Sequence, residues 1–249
     1  MDLGLKGKVA LVTGGNRGIG SAVSLEMARQ GCDVALTYRG QEEKARQAVQ
    51  RIEELGRRAI CLKADVADFH EAERVVDEVR ERLGRLDILV CNAGITWDGV
   101  LWKMTEAQWD TVIDTNLKGY FNYNRAAARV FKDQRSGKIV NVSSINGLRG
   151  KFGQCNYSAS KAGNIALTKA LARELGKFGV NVNCVAPGMV LTEMARKIPP
   201  AFLAAAVKET VLGRVAEPEE VAHVVAFLCS EYARHVTGEV VKVDGGQYI

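Results

Sequence analysis

Short apolar runs alternate with amphipathic stretches from one end of the chain to the other. Runs at Lys8–Val12, Asp33–Tyr38, Arg58–Ala64, Asp87–Cys91, Lys138–Val142, Val180–Ala186 and Glu239–Val243 have the length and apolar character of β-strands. Between them, Gly18–Gln30, Glu42–Leu55, Phe69–Leu83, a long stretch around Trp109–Phe131, Tyr157–Lys177 and Glu217–Cys229 carry helical periodicity. Gly31, Gly56, Gly84 and Gly179 stand where helices should stop, and Pro218 falls in the first turn of the last one. Strand and helix in strict alternation predict a parallel sheet built from βαβ crossovers, hence one doubly wound α/β domain over residues 1–249, with seven strands and helices on both faces. The least regular stretch, Met189–Gly213, contains Pro199-Pro200 and a helix-like Ala201–Lys208. It follows the C-terminal end of a strand, where open α/β sheets bind ligands, and is expected to be a substrate lid.

Composition narrows the function classes. The net charge of +5 arises from 34 Lys and Arg interleaved with 29 Asp and Glu, a dispersed pattern that argues against a nucleic-acid arm. No apolar stretch reaches the length of a membrane span or of a signal-peptide core. Cys32, Cys61, Cys91, Cys155, Cys184 and Cys229 are scattered without a C-x-x-C pair, and His70, His223 and His235 show no ligand spacing. We therefore expect reduced thiols, no metal and a cytoplasmic protein.

The first strand runs into Thr13-Gly14-Gly15-Asn16-Arg17-Gly18-Ile19-Gly20 and then a helix. Glycine serves there for a sharp turn, a close backbone approach to a pyrophosphate and tight packing of helix on strand. The free N–H groups and positive dipole end of the helix then face the phosphates. At the end of the second strand, an NAD site of this geometry places an acid on the ribose hydroxyls, whereas a 2′-phosphate needs cations. This chain has Tyr38-Arg39 there, and Arg17 inside the turn, which points to NADP(H). Taken singly, either arginine is equally consistent with a solvated charge.

A strand ending in Ser143-Ser144 is followed by Tyr157-Ser-Ala-Ser-Lys161 at the opening of a helix. Residues four apart share a helix face, so the phenol and the ammonium can serve one small volume. The ammonium is expected to pull the phenol below its ordinary pKa of about 10. That spacing alone also describes an ordinary surface pair.

The ordered set of motifs is far more specific. Thr13–Gly20, Asn92-Ala93-Gly94 after a strand, Asn116, Ser144, Tyr157 with Lys161, and Pro187-Gly188 resemble the classical short-chain dehydrogenase/reductase family over essentially the whole chain. In Asn92-Ala93-Gly94-Ile95-Thr96, Asn116-Leu117, Phe152–Tyr157, Val236-Thr237-Gly238 and Asp244-Gly245-Gly246, the chain is similar to the branch that reduces 3-oxoacyl-carrier-protein and acetoacetyl-CoA thioesters.

The resemblance implies a Rossmann-type sheet and an NADP(H)-dependent reduction of a 3-oxoacyl thioester. Tyr157 would be the proton donor, Ser144 the hydrogen-bond donor to the carbonyl oxygen, Lys161 a ligand of the nicotinamide ribose and Asn116 the holder of a relay water. It places Gly14, Asn16, Arg17, Gly18, Ile19, Gly20, Arg39, Asp65, Val66, Asn92, Ala93, Gly94, Pro187, Gly188, Val190 and Thr192 around the cofactor, with Ser143 supporting the loop. It also implies a homotetramer.

Recognition of an acyl carrier protein is expected through Arg135, nine residues before Ser144. The branch's second basic position falls on Phe178, with Lys177 adjacent, which leaves a CoA thioester open. Trp97, Trp102 and Trp109 flank the expected substrate mouth and suit either an acyl chain or packing in the core or between subunits, and Cys155 reads as a small buried hydrophobe. Other readings are a reductase or dehydrogenase of another small carbonyl or alcohol (a sugar, a cyclic alcohol, a polyketide) and a nucleotide-binding regulatory protein without turnover.

Overall fold

The computed structural model describes residues 2–193, 195 and 200–249. In chain order the elements are β1 (Val9–Val12), α1 (Gly18–Arg29), β2 (Asp33–Tyr38), α2 (Glu42–Glu53), β3 (Ala59–Lys63), α3 (Phe69–Leu83), β4 (Ile88–Cys91), α4 (Glu106–Ile113), α5 (Gly119–Gln134), β5 (Gly137–Val142), α6 (Asn146–Arg149), α7 (Cys155–Leu175), β6 (Val180–Pro187), α8 (Pro200–Glu209), α9 (Pro218–Cys229) and β7 (Val240–Val243). The strands form one parallel sheet in the order β3-β2-β1-β4-β5-β6-β7. This is the doubly wound α/β fold expected.

Why these runs become strands is visible in β1. Its side chains alternate between two cores: Ala10 and Val12 face α1, α2 and α9, while Val9 and Leu11 face α3, α5 and the C-terminal part of α7. Both faces of the sheet are covered, so a central strand is apolar at every position, the sequence signature of a parallel sheet. β1, β3, β4 and β7 start a residue inside the expected limits, and β5 and β6 run a residue beyond theirs. The Asp87 carboxylate accepts the Val9 N–H at 2.9 Å and binds Arg85 at 2.7 Å, at the point where β1 and β4 begin. Helices stop at glycine as read: Gly31, Gly56, Gly84 and Gly179 all have positive φ.

Two features depart from the expectation. The long helical stretch around Trp109–Phe131 is α4 and α5 joined by a π-turn, Asp114–Lys118, where the Gly119 N–H reaches back five residues to the Asp114 carbonyl. Helix α6, between the serines and the tyrosine, has no periodic signal of its own because it is one turn long. Of the expected lid, Met194 and residues 196–199 lie outside the described residues. Its described part pairs Val190 with Ala216 and contains α8.

The strand order reverses between β1 and β4, where crossovers leave to opposite faces and open a crevice at the carboxyl ends of the strands. The functional site lies there.

Candidate active site

The glycine turn sits at the carboxyl end of β1, and its tightness is steric. A Cβ on Gly20 would stand 2.2 Å from the Gly14 carbonyl oxygen, and one on Gly15 would stand 2.6 Å from Leu36. Asn92, at the end of β4, clamps the turn from behind: its side-chain amide donates to the carbonyls of Thr13 and Gly14 at 3.0 and 3.2 Å, and its own N–H is held by Thr13 Oγ1. The open side of the turn faces a cleft of about 750 Å³, within the size range of small-molecule sites. Gly14, Asn16, Arg17, Gly18 and Ile19 line it, as do Arg39, Asp65, Val66, Asn92, Ala93, Gly94, Pro187, Gly188, Val190 and Thr192. Ser144, Tyr157 and Lys161 line the same cleft. Two expected residues do not. Gly20 is packed behind the turn, and Asn116 is fully buried beneath the cleft floor.

Arg39 stands 3.7 Å from Asp65, a loose and exposed ion pair that leaves its guanidinium able to turn to an anion. Two contributors to this end were not read from the sequence, Lys44 on α2 and Glu193, which form an ion pair with each other. They are far apart in the chain, and only the fold brings them together.

The reaction end is built by three elements. Ser143 and Ser144 follow β5, and the Ser143 hydroxyl donates to the Lys161 carbonyl at 2.7 Å, fixing α7 against the strand. Ser144 Oγ accepts the Asn146 N–H at 3.1 Å, the local bond that starts α6. Tyr157 and Lys161 share one face of α7, with the ammonium 5.7 Å from the Tyr157 ring centre. That ammonium donates to the Val142 carbonyl at 2.8 Å and to the Tyr120 hydroxyl at 3.2 Å. Tyr120 was missed in the sequence, although it lies four residues beyond Asn116 on the continuing helix.

Burial shapes the charges here. It pulls the Lys161 ammonium down to about 8. The Tyr157 phenol is pushed above its ordinary value by burial, with the nearby Ser144 hydroxyl acting in the opposite direction and Asp98 in the same one. Burial sets the direction for Tyr157, opposite to the expected lowering; the Lys161 ammonium lies 5.7 Å from its ring centre and donates to the Val142 carbonyl and the Tyr120 hydroxyl. Such a phenol is a proton donor at neutral pH, not a phenolate.

Asn116 lies in the π-turn, and its carboxamide bonds groups outside that helix. Oδ1 accepts the Ile95 N–H at 2.8 Å, and Nδ2 donates to the Ile95 carbonyl at 2.9 Å and to Ser160 Oγ at 3.2 Å. The side chain is thus committed, and the Asn116 main-chain carbonyl, which also accepts from Asn164 at 3.0 Å, is its remaining polar group. π-turns of this kind recur at functional sites.

Cys155 is half-buried and touches the Met104 sulfur at 3.5 Å, so it is not the buried hydrophobe expected. All six cysteines are free, and no cluster of metal-binding side chains occurs among the described residues. Trp97, Trp102 and Trp109 are exposed rather than in the core.

Comparison with known proteins agrees with this arrangement. A family model described as Enoyl-(Acyl carrier protein) reductase matches residues 14–247. The chain is 44% identical over 242 residues to the 3-oxoacyl-[acyl-carrier-protein] reductase FabG of Staphylococcus aureus, covering 97% of this chain and 98% of that one. It is 45% identical over 242 residues to the acetoacetyl-CoA reductase of Rhizobium meliloti and 43% to that of Shinella zoogloeoides, with the same 97% and 98% coverage. A glycine turn, a catalytic-type Ser, Tyr and Lys at one cleft, and relatives of this identity over nearly the full length lead to one conclusion: the chain belongs to the short-chain dehydrogenase/reductase family of nicotinamide-dependent oxidoreductases.

Proposed function

We propose that this protein reduces a 3-oxoacyl thioester to the 3-hydroxyacyl thioester with NADPH. The observation that carries the reading is one continuous cleft running from the glycine turn to Ser144, Tyr157 and Lys161. The names of its relatives supply the substrate class. When bound, the nicotinamide supplies the hydride for the carbonyl carbon. Tyr157, held protonated by burial, gives its phenolic proton to the oxygen that becomes an alkoxide. Ser144 donates a hydrogen bond to that same oxygen, and such stabilisation is worth most where charge develops. Lys161 presents a buried cation beside the ribose position, and the Asn116 carbonyl is the place for a relay water. The family model's description speaks of an enoyl substrate, a C=C bond. Two hydroxyl donors directed to one oxygen favour the ketone.

The glycine cradle fits a pyrophosphate, and at its adenosine end Arg17, Arg39 and Lys44 outnumber the carboxylates of Asp65 and Glu193. Charge-assisted contacts to a 2′-phosphate contribute roughly 1.5–3 kcal/mol each where well formed. Arg39→Asp is expected to move the kcat/KM preference from NADPH towards NADH by at least tenfold. Equal wild-type use of both cofactors would remove the basis for this assignment.

The carrier protein is proposed to dock at Arg135. This residue caps α5 with φ of 52° and donates to the Lys177 carbonyl at 3.2 Å. Lys132, Arg135 and Lys177 all lie within 6 Å of the Phe178 ring centre, so the absent second cation is replaced by neighbours. The experiment that tests the function compares an acetoacetyl group on carrier protein with the same group on CoA. Arg135→Glu should raise KM for the carrier thioester several-fold and leave the CoA ratio near one, and added salt should weaken only the carrier reaction. Failure of both thioesters to turn over would overturn the function. An indifferent carrier reaction would leave CoA as the handle.

A homotetramer is proposed on the resemblance, with the exposed Trp109 and Phe121 on one face and Phe227 on another as apolar contacts. No helix among the described residues is long and apolar enough to cross a membrane. A cytoplasmic location is part of the same reading.

A further inference from the structure

At the reaction end, the cleft opens between two loops that are zipped together. The Gly99 N–H donates to the Gly153 carbonyl at 2.8 Å, and Gly99 bridges to Gln154. Gln154 donates to both Asp98 oxygens at 3.0 Å and accepts from Asn146 at 3.1 Å. Asn156, next to Tyr157, donates to the Trp97 carbonyl at 3.0 Å, and Cys155 touches Met104. The two loops therefore form a fixed rim, continuous with Thr96 and Tyr157 in the cleft wall.

What this rim presents to water is apolar. Phe152 is 83% exposed, Trp102 77% and Leu101 68%, with Trp97 and Leu148 beside them in sequence and also exposed. Large apolar side chains held rigidly in solvent, gathered at the mouth of a site, mark a surface that something covers. The one carboxylate in these loops, Asp98, is engaged by Gln154, while Lys103 and Lys151 are exposed cations. An uncharged, extended hydrocarbon suits this lining, with an anionic handle tolerated beside it. A polyhydroxylated sugar does not.

We propose that Trp97, Leu101, Trp102 and Phe152 form the seat of the substrate's acyl chain, and that the protein prefers medium- and long-chain 3-oxoacyl thioesters to the four-carbon one. This rests on the thioester reading above. Each methylene laid on the rim leaves water, and transfer of apolar surface is favourable in proportion to its area. None of the four side chains lines the cleft beside Ser144 and Tyr157, so a short acyl group lying in the cleft would leave them uncovered.

The test compares kcat/KM for acetoacetyl-CoA and 3-oxodecanoyl-CoA in the wild type, in Trp102→Ala, in Phe152→Ala and in the double variant. The expected wild-type preference for the ten-carbon substrate is at least tenfold, expressed mainly in KM, and it should fall to within threefold in the double variant. A ratio is unaffected by the fraction of protein that folds. A wild-type ratio within threefold overturns the proposal, as does an undiminished ratio in the double variant. If the double variant instead lowers the mass seen by light scattering with its ratio intact, the rim is a contact between copies and the proposal falls. If the wild type turns over neither thioester, it is the thioester reading itself that fails.

Discussion

Tyr157→Phe is expected to lower kcat for ketone reduction by roughly 10²–10⁴-fold, the usual contribution of a general acid. It should leave the dissociation constant for NADPH within about threefold, because the ring and its packing stay and one proton donor goes. Among the described residues at the reaction end, Ser144 and Tyr157 carry the hydroxyls that line the cleft, while the Lys161 ammonium donates to Val142 and Tyr120. Single-turnover reduction, followed by loss of NADPH absorbance, separates the two effects. Near-wild-type turnover in the variant would move the acid elsewhere, and a parallel loss of NADPH affinity would mean that the hydroxyl serves binding.

Lys161 should give the second large effect, and a pH signature that Tyr157 lacks. Burial disfavours its charged form, so the folded protein releases that proton near pH 8 rather than near the ordinary value of 10.5. If the ammonium is needed beside the ribose, wild-type kcat/KM falls about tenfold per pH unit above about 8. Lys161→Met, which keeps much of the volume, should cost about 10²-fold at pH 7 and abolish that descending limb.

Stability runs the other way. Between about 8 and 10.5 the unfolded chain binds more protons at this group than the folded one, so this group's share of stability rises with pH across that window. Its cost is borne in full below pH 8. Urea midpoints at pH 7 and pH 9.5 should thus converge on those of Lys161→Met as pH rises. An unchanged alkaline limb in the variant would assign the limb to another group.

Much of this was legible in the chain itself. Val9–Val12 is apolar at every position because both of its faces are covered, and its shortness and the glycine turn after it mark it as a strand. Gly31 and Gly84 marked helix ends because the backbone there needs a positive φ that side chains resist. Tyr157 and Lys161 could be set on one face from the helical repeat alone, and the glycine turn from its place between a strand and a helix. These are local consequences of chain geometry, so a few neighbouring residues contain the information.

Elsewhere the partner is distant in sequence, and the tertiary structure decided the outcome. Within the π-turn at Asp114–Lys118 the Asn116 carboxamide binds the backbone of Ile95, which arrives from the end of β4. Burial raises Tyr157, and the Lys161 ammonium is held by Val142 on β5 and Tyr120 on α5. Arg135 donates to a carbonyl at Lys177, and Lys44 pairs with Glu193 across the cleft. The same alternation of residues would accommodate Trp102 and Phe152 in a core. They are exposed in the loops beside the cleft because Gly99 pairs with Gly153 and holds both loops outside the two cores that the sheet had already filled.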